Sequence, residues 1–337
     1  MSTTSDGMLK KYVNINADCA ALQQERYGDR YGTYREQYAL SGRQELIPDF
    51  PLYIHFEQTY LCNLRCPSCI QGHRDLKNKY NTGIPLLPLD VYVKVLEECQ
   101  AHACPSVAMH SIDEPLLVPD IANRIRLARE HGVMEVFMTT NGQLLTDDTA
   151  NAICEAGLTH ILFSTDAATA ETYAKVRVRG DFAKTLRAIE RIREWKARNN
   201  ALFPIIRASF VLSRLNQHEE ELFIERFGSL VDYIDIQSFY GLGVVNAHLV
   251  PDNHTVIDPV DFACSEPFRK VIVRANGDVV PCCSPFGFRM VMGNVNEQSV
   301  FEIYNGSKMK NVRESLKTRN FNPVCRECVS NLYCRCE

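Results

Sequence analysis

No apolar run in this sequence approaches the ~20 residues that a membrane-spanning helix needs. The first residues, Met1 to Lys11, are polar and carry no hydrophobic stretch of the kind a secretion signal requires. There is no excess of positive charge either. The sequence has 37 Lys and Arg against 41 Asp and Glu, a net charge of −4, which removes the electrostatic footprint of a nucleic-acid binder. Internal repeats and low-complexity tracts are also missing. The expectation is a cytoplasmic globular protein with no membrane and no nucleic-acid partner. Its 337 residues allow about two domains of ~150 residues, or one large α/β domain with an appendage.

What is present in excess is cysteine, 14 in all. Without an export signal, and with ample length for a core, disulfide stapling is not the reading; clustered thiols in a reducing compartment point to metal or redox chemistry. Cys19, Cys99, Cys104 and Cys154 are scattered and read as packing residues. Cys62, Cys66 and Cys69 lie close together, and Cys264, Cys282, Cys283, Cys325, Cys328, Cys334 and Cys336 crowd the last quarter.

Residues 1–50 read as a helical or irregular leader rich in Tyr and Arg. From residue 51 strands and helices alternate: strands near 51–57, 106–111, 135–139, 160–164, 205–212 and 233–237, with helices at 89–99, 121–131, 147–155, 182–199 and 219–227 between them. Strands joined through helices require crossovers, hence a mainly parallel sheet. Six units are too few for a closed eight-stranded barrel. The expected fold is α/β, a partial (βα)6 TIM-like barrel spanning 51–245. Sites in such sheets form at the strand carboxyl ends, where Cys62, Asp113, Glu114, Asn141, Ser164 and Asp166 fall. Residues 246–337 form a cysteine-rich extension. In it, Asn276-Gly277 between two short apolar runs reads as a type I′ hairpin, a helix covers 299–305, and the rest reads as loop.

The spacing of Cys62, Cys66 and Cys69 would lie on one helix face, but Pro67 breaks a helix there, so the segment reads as a loop that wraps a ligand. Three thiolates suit either zinc lacking one ligand or an iron–sulfur cluster. This C-x3-C-x2-C motif, directly after a first strand, resembles the radical S-adenosylmethionine (radical SAM) superfamily over residues 51 to about 240. The resemblance implies a [4Fe–4S] cluster on Cys62, Cys66 and Cys69. Its open iron would bind S-adenosylmethionine, and one electron would yield a 5′-deoxyadenosyl radical. It also implies a flavodoxin- or ferredoxin-like electron donor. Ser111-Ile-Asp-Glu114-Pro-Leu116 stands where the family has Gly-Gly-Glu-Pro; Glu114 would accept from the cofactor's ammonium, and Ile112-Asp113 departs from the pattern. Asn141 in Thr139-Thr-Asn-Gly142 would place the cofactor, Ser164 would contact its carboxylate or ribose, and Arg207 would approach the carboxylate.

The later cysteines resemble the SPASM/twitch extension of the same enzymes. The resemblance implies an auxiliary [4Fe–4S] cluster on Cys264, Cys282, Cys325 and Cys328. Cys334 and Cys336 are possible additional ligands of a second one, and a zinc ribbon is the competing reading. The implied reaction is maturation of a ribosomally made peptide by excision, crosslinking or epimerisation, with a precursor peptide and a separate recognition protein as partners. The alternative is dehydrogenation or epimerisation of a sugar or aminocyclitol. Cys283 is a candidate hydrogen-atom donor for epimerisation.

Overall fold

The computed structural model describes residues 10–14, 18–259 and 261–335. An edge strand β1 (Lys10–Asn14) and helices α1 (Cys19–Tyr27) and α2 (Asp29–Gly42) come first. The core then runs β2 (Tyr53–Phe56), α3 (Arg74–Lys79), α4 (Leu89–Ala101), β3 (Ser106–Ala108), α5 (Ile121–Glu130), β4 (Glu135–Thr140) and α6 (Asp147–Glu155). It continues β5 (His160–Ser164), α7 (Ala170–Val176), α8 (Phe182–Arg198), β6 (Ile205–Val211), α9 (Glu220–Gly228) and β7 (Tyr233–Gln237). Beyond it lie β8 (His254–Val256), α10 (Glu266–Arg269), β9 (Lys270–Val273), β10 (Asp278–Val280) and β11 (Gly293–Asn294). The last elements are α11 (Val300–Asn305), α12 (Ser307–Lys317), α13 (Pro323–Val329) and β12 (Tyr333–Arg335).

Strands β2 to β7 are parallel and adjacent in chain order, the open portion of a (βα) barrel. β9 adds in parallel beside β2, while β1 on β7 and the β9–β10–β11 meander are antiparallel. The result is one ten-stranded sheet, ordered β1-β7-β6-β5-β4-β3-β2-β9-β10-β11. Alternation along each strand sends Ile54, Phe56, Val107, Val136, Met138, Ile161, Phe163, Ile206, Ala208 and Phe210 to one face, where they form a continuous core. The opposite, inner face is polar and aromatic: His55, Phe137, His160, Arg207, Tyr233 and Asp235.

Helices α1 and α2 cover the strand-start end of this inner face. Tyr31 and Tyr34 pack with Leu52 and Met134, and Gln23 reaches His160 at 3.2 Å. The Tyr-rich leader is thus packed into the body. No helix among the described residues is long and apolar enough to cross a membrane.

Three local expectations change. The strand begun at Ser106 ends at Ala108 rather than at 111, where Asp113 Oδ1 draws the backbone aside by accepting from Ser111 N at 2.5 Å. The β9–β10 turn is not type I′, which needs positive φ at both central residues. Gly277 alone has it, at 86°; Gly277 N donates to Arg274 O and Arg274 N to Asp278 O, both at 2.8 Å, a type I turn with a glycine bulge. The tail expected as loop holds two helices. α12 buries Met309, Val312 and Leu316. α13 starts with Pro323 and is capped by Asn322, which accepts from Cys325 N at 2.9 Å. Cys99, Cys104 and Cys154 are buried, and Cys19 is half-buried.

Candidate active site

The segment from Leu61 to Cys69 is irregular, as Pro67 requires. It is held by its own side chains. Arg65 Nη1 donates to the carbonyls of Cys62 (2.7 Å) and Leu64 (2.6 Å). Gln71 Nε2 donates to Tyr60 O at 2.7 Å, and Cys69 N to Cys66 O at 3.1 Å. Gly72 lies so close that a Cβ there would stand 2.2 Å from the Cys66 carbonyl oxygen; only glycine lets the loop fold back on itself. Burial pushes the Cys62 thiol up to about 12 and Cys69 to about 11. Thiols so desolvated ionise when a metal group takes the proton's place.

Glu114 and Asn141 meet this loop at the ends of β3 and β4. Glu114 N donates to Leu61 O at 2.9 Å. Its buried carboxylate accepts from Thr140 Oγ1 (2.6 Å), Asn141 N (2.8 Å) and Leu116 N (3.1 Å). Burial raises its pKa against those donors. A carboxylate offers about four acceptor sites, so one direction stays open to a cation. Asp113, which replaces a family glycine, accepts from Ser111 N and Thr59 N and braces the same loop. Asn141 Nδ2 donates to Asn63 Oδ1 at 2.8 Å and points at Cys62 Sγ at 4.0 Å. Ser164 lies half-buried at the end of β5.

Arg207 does not join this group. Its Cα is level with Leu162, two residues before Ser164. Its guanidinium is paired with Asp235 at 2.5 Å and lies over the rings of Phe137 and Tyr233. Its field acts on Glu135, His160 and Cys19 at the strand-start half and on His110 past the end of β3. In this arrangement the charge is balanced by Asp235 on the neighbouring strand.

Cys264, Cys282, Cys325 and Cys328 line one cavity with Phe262, Pro267, Met290, Leu316, Val324 and Val329 among its walls. Asn322 Nδ2 donates to Cys325 Sγ at 3.2 Å, and Tyr240 and Ser284 hydroxyls reach Cys328 Sγ at 3.2 and 3.6 Å. Gly287 makes room for Cys282, whose Sγ would lie 2.3 Å from a Cβ there. Sequence reading missed Gly72, Gly287, Tyr240 and Ser284; the glycines sat in no motif, and the hydroxyls come from distant segments. Among the described residues no three His, Cys, Asp or Glu side chains converge closely enough for a single metal ion. Four thiols around an apolar space fit a cluster several ångströms across.

Cys334 stands apart on β12, paired with Thr255; Cys336 lies outside the described residues. Cys283 is exposed, its sulfur 3.5 Å from both Lys270 Nζ and Glu266 Oε2. It lies beside Lys270 at the start of β9, and the four-thiol cavity is tied both to Gln44 at the end of α2, which donates to Cys264 O, and to Tyr240 past the end of β7, which reaches Cys328.

Residues 56–206 match the family described as the radical SAM superfamily, and residues 264–329 match the iron–sulfur cluster-binding SPASM domain. The chain is 29% identical over 175 residues to a GTP 3′,8-cyclase of Petrotoga mobilis, covering 51% of this chain and 50% of that protein. It is 32% identical over 79 residues to the S-adenosyl-L-methionine-dependent 2-deoxy-scyllo-inosamine dehydrogenase of Niallia circulans, 23% of this chain and 32% of that one. The chain thus spans a third to a half of the length of these curated relatives. The structure resembles Streptococcus suis SuiB with S-adenosylmethionine bound, with a TM-score of 0.61 at 12% identity over 89% of this chain and 75% of that one. The chain belongs to the radical SAM superfamily and carries a C-terminal SPASM domain, an iron–sulfur cluster-binding domain.

Proposed function

We propose that this enzyme modifies a ribosomally made peptide by taking a hydrogen atom from it. The observation that carries the reading is the open sheet. Its edge strands β1 and β11 do not pair with each other, so the sheet is not closed into a barrel, and an extended chain gains more from an unclosed side than a compact sugar does. SuiB, whose fold this chain shares, has also been solved with its precursor peptide.

Cys62, Cys66 and Cys69 would hold the cluster that reduces S-adenosylmethionine to a 5′-deoxyadenosyl radical. Glu114 turns its remaining acceptor direction to the cofactor ammonium. Ser164 presents a hydroxyl to its carboxylate or ribose, and Asn141 fixes the Cys62 loop through Asn63. Arg207, held by Asp235, shapes the lumen floor on which substrate rests. Cys264, Cys282, Cys325 and Cys328 would hold one auxiliary cluster, with Cys334 and Cys336 as possible ligands of a second. An epimerase needs a hydrogen-atom donor opposite the abstraction face, and the exposed Cys283 thiol would serve as it. A flavodoxin- or ferredoxin-like donor would supply electrons, and a small separate protein would present the peptide leader.

The 2-deoxy-scyllo-inosamine dehydrogenase relative favours a second reading, a sugar or aminocyclitol substrate. Anaerobic enzyme, expected to hold about eight irons and about four after Cys62, Cys66 and Cys69 are all changed to Ala, is incubated with reductant, S-adenosylmethionine and short peptides encoded beside it, with and without a partner protein. Peptide mass loss marks excision, loss of a hydrogen pair marks crosslinking, and deuterium uptake from heavy water marks epimerisation. If no peptide changes while an aminocyclitol or nucleotide-sugar drives 5′-deoxyadenosine formation, the second reading replaces the first.

A further inference from the structure

Arg177, just past the end of α7, is a buried cation that no sequence motif singled out. Its Nη1 donates to Cys66 Sγ at 3.7 Å, and its Nη2 pairs with Asp166 Oδ2 at 2.6 Å. The side chains of Arg177 and Asp166 are 14% and 7% exposed. Arg177 Nε is buried with no partner among the described residues. Asp166 is itself fixed. Its backbone is left-handed at φ 56°, a conformation rarely adopted outside glycine. Its Oδ1 accepts from Val211 N at 2.9 Å and its carbonyl from Asn216 Nδ2 at 2.8 Å. On the other side, Val178 O accepts from Arg65 N at 2.9 Å, and Arg65 is the residue that holds the Cys62 carbonyl. The guanidinium is therefore clamped between the cysteine loop and the ends of β5 and β6. A buried ion pair of this kind is a weak source of stability, so its placement against a sulfur calls for another account.

We infer that Arg177, anchored by Asp166, is the counter-ion of the cluster held by Cys66 and raises its reduction potential. The inference rests on the proposal that Cys62, Cys66 and Cys69 are cluster ligands. Reduction adds one electron, with no bond made or broken, to a group already made anionic by its thiolates. A positive charge and an N–H···S hydrogen bond at a ligand sulfur stabilise the more negative state, so the reduced form is favoured. Asp166 sets the direction of the fork and keeps the guanidinium from turning to solvent.

The test uses the reconstituted holoenzyme and its Arg177→Gln, Arg177→Lys and Asp166→Asn variants. Iron content, S-adenosylmethionine affinity and an EPR-monitored redox titration are measured, following the signal that changes when S-adenosylmethionine is added. Arg177→Gln is expected to keep its iron and cofactor affinity and to shift that midpoint to a more negative potential, leaving the auxiliary signal in place. Arg177→Lys restores part of the shift. Formation of 5′-deoxyadenosine falls several-fold with dithionite and recovers with the stronger reductant titanium(III) citrate. An unchanged midpoint with weakened S-adenosylmethionine binding overturns the inference and makes Arg177 a cofactor contact. If Arg177→Gln does not assemble the cluster, Asp166→Asn decides: a smaller shift in the same direction supports the inference and no shift overturns it. An iron content as high as the wild type's after Cys62, Cys66 and Cys69 are all changed to Ala would refute the ligand reading, and this inference with it.

Discussion

His160 sits at the start of β5 with both ring nitrogens engaged: Gln23 Nε2 lies 3.2 Å from Nε2, and Thr159 Oγ1 3.0 Å from Nδ1. Burial, with the charges of Arg207 and Arg35 added, pushes its pKa down to about 3. The unfolded chain takes a proton near pH 6.5 and the folded chain refuses it, so stability is lost as pH falls below about 6.5. The slope is up to about 1.4 kcal/mol per pH unit for one imidazole. Melting temperatures measured anaerobically between pH 7 and 5.5 should fall more steeply for wild type than for His160→Gln; parallel curves would show that this ring titrates freely. At this scale the sequence was readable where a motif named a residue, as with Glu114, Asn141 and the loop cysteines. It was opaque for Arg177, whose contact with Cys66 joins residues 111 apart. For Arg207 it left the partner unnamed, because strand position says nothing of the Asp235 carboxylate two places along the next strand.

Elements owe their placement to a few buried polar ties. The β9–β10 turn is fastened to the end of β2 by Glu57, which is fully buried; Arg274 Nε lies 3.2 Å from Oε2, and Ala275 N donates to Oε1 at 3.3 Å. Arg274 Nη2 also donates to Tyr80 O. Removing one member strands the other without water. Arg274→Met is expected to destabilise the protein by about 3–5 kcal/mol, and adding Glu57→Gln should recover part of that loss. Denaturant titration of the single and double variants checks this; additive effects would deny the coupling. The hairpin was legible from Asn276-Gly277, its turn type was not. The bulge is settled by Glu57, more than two hundred residues away. α12 was overlooked although Met309, Val312 and Leu316 carry helical spacing, because the surrounding cysteines drew the reading towards loop.

Segments 1–50, 51–245 and 246–337, separable on paper, all contribute strands to one sheet. β2 lies between β3 and β9, so the first strand of the core is completed by a strand from the extension. A chain ending at residue 250 would leave β2 as an edge and uncover the packing of Val271 and Val273. Such a fragment is expected to be insoluble or molten, and the intact protein to unfold in one transition by both circular dichroism and tyrosine fluorescence; separate transitions would argue for independent units. The six-strand order could be read from alternating patterns, which are local. The joining of β1 and β9 to that sheet could not, since strand partners at such separations leave no periodic trace. One further feature governs traffic. With Tyr31, Tyr34 and Gln23 stoppering the strand-start end, nothing passes straight through the lumen, and all traffic to its floor is confined to the mouth and to the unclosed side of the sheet.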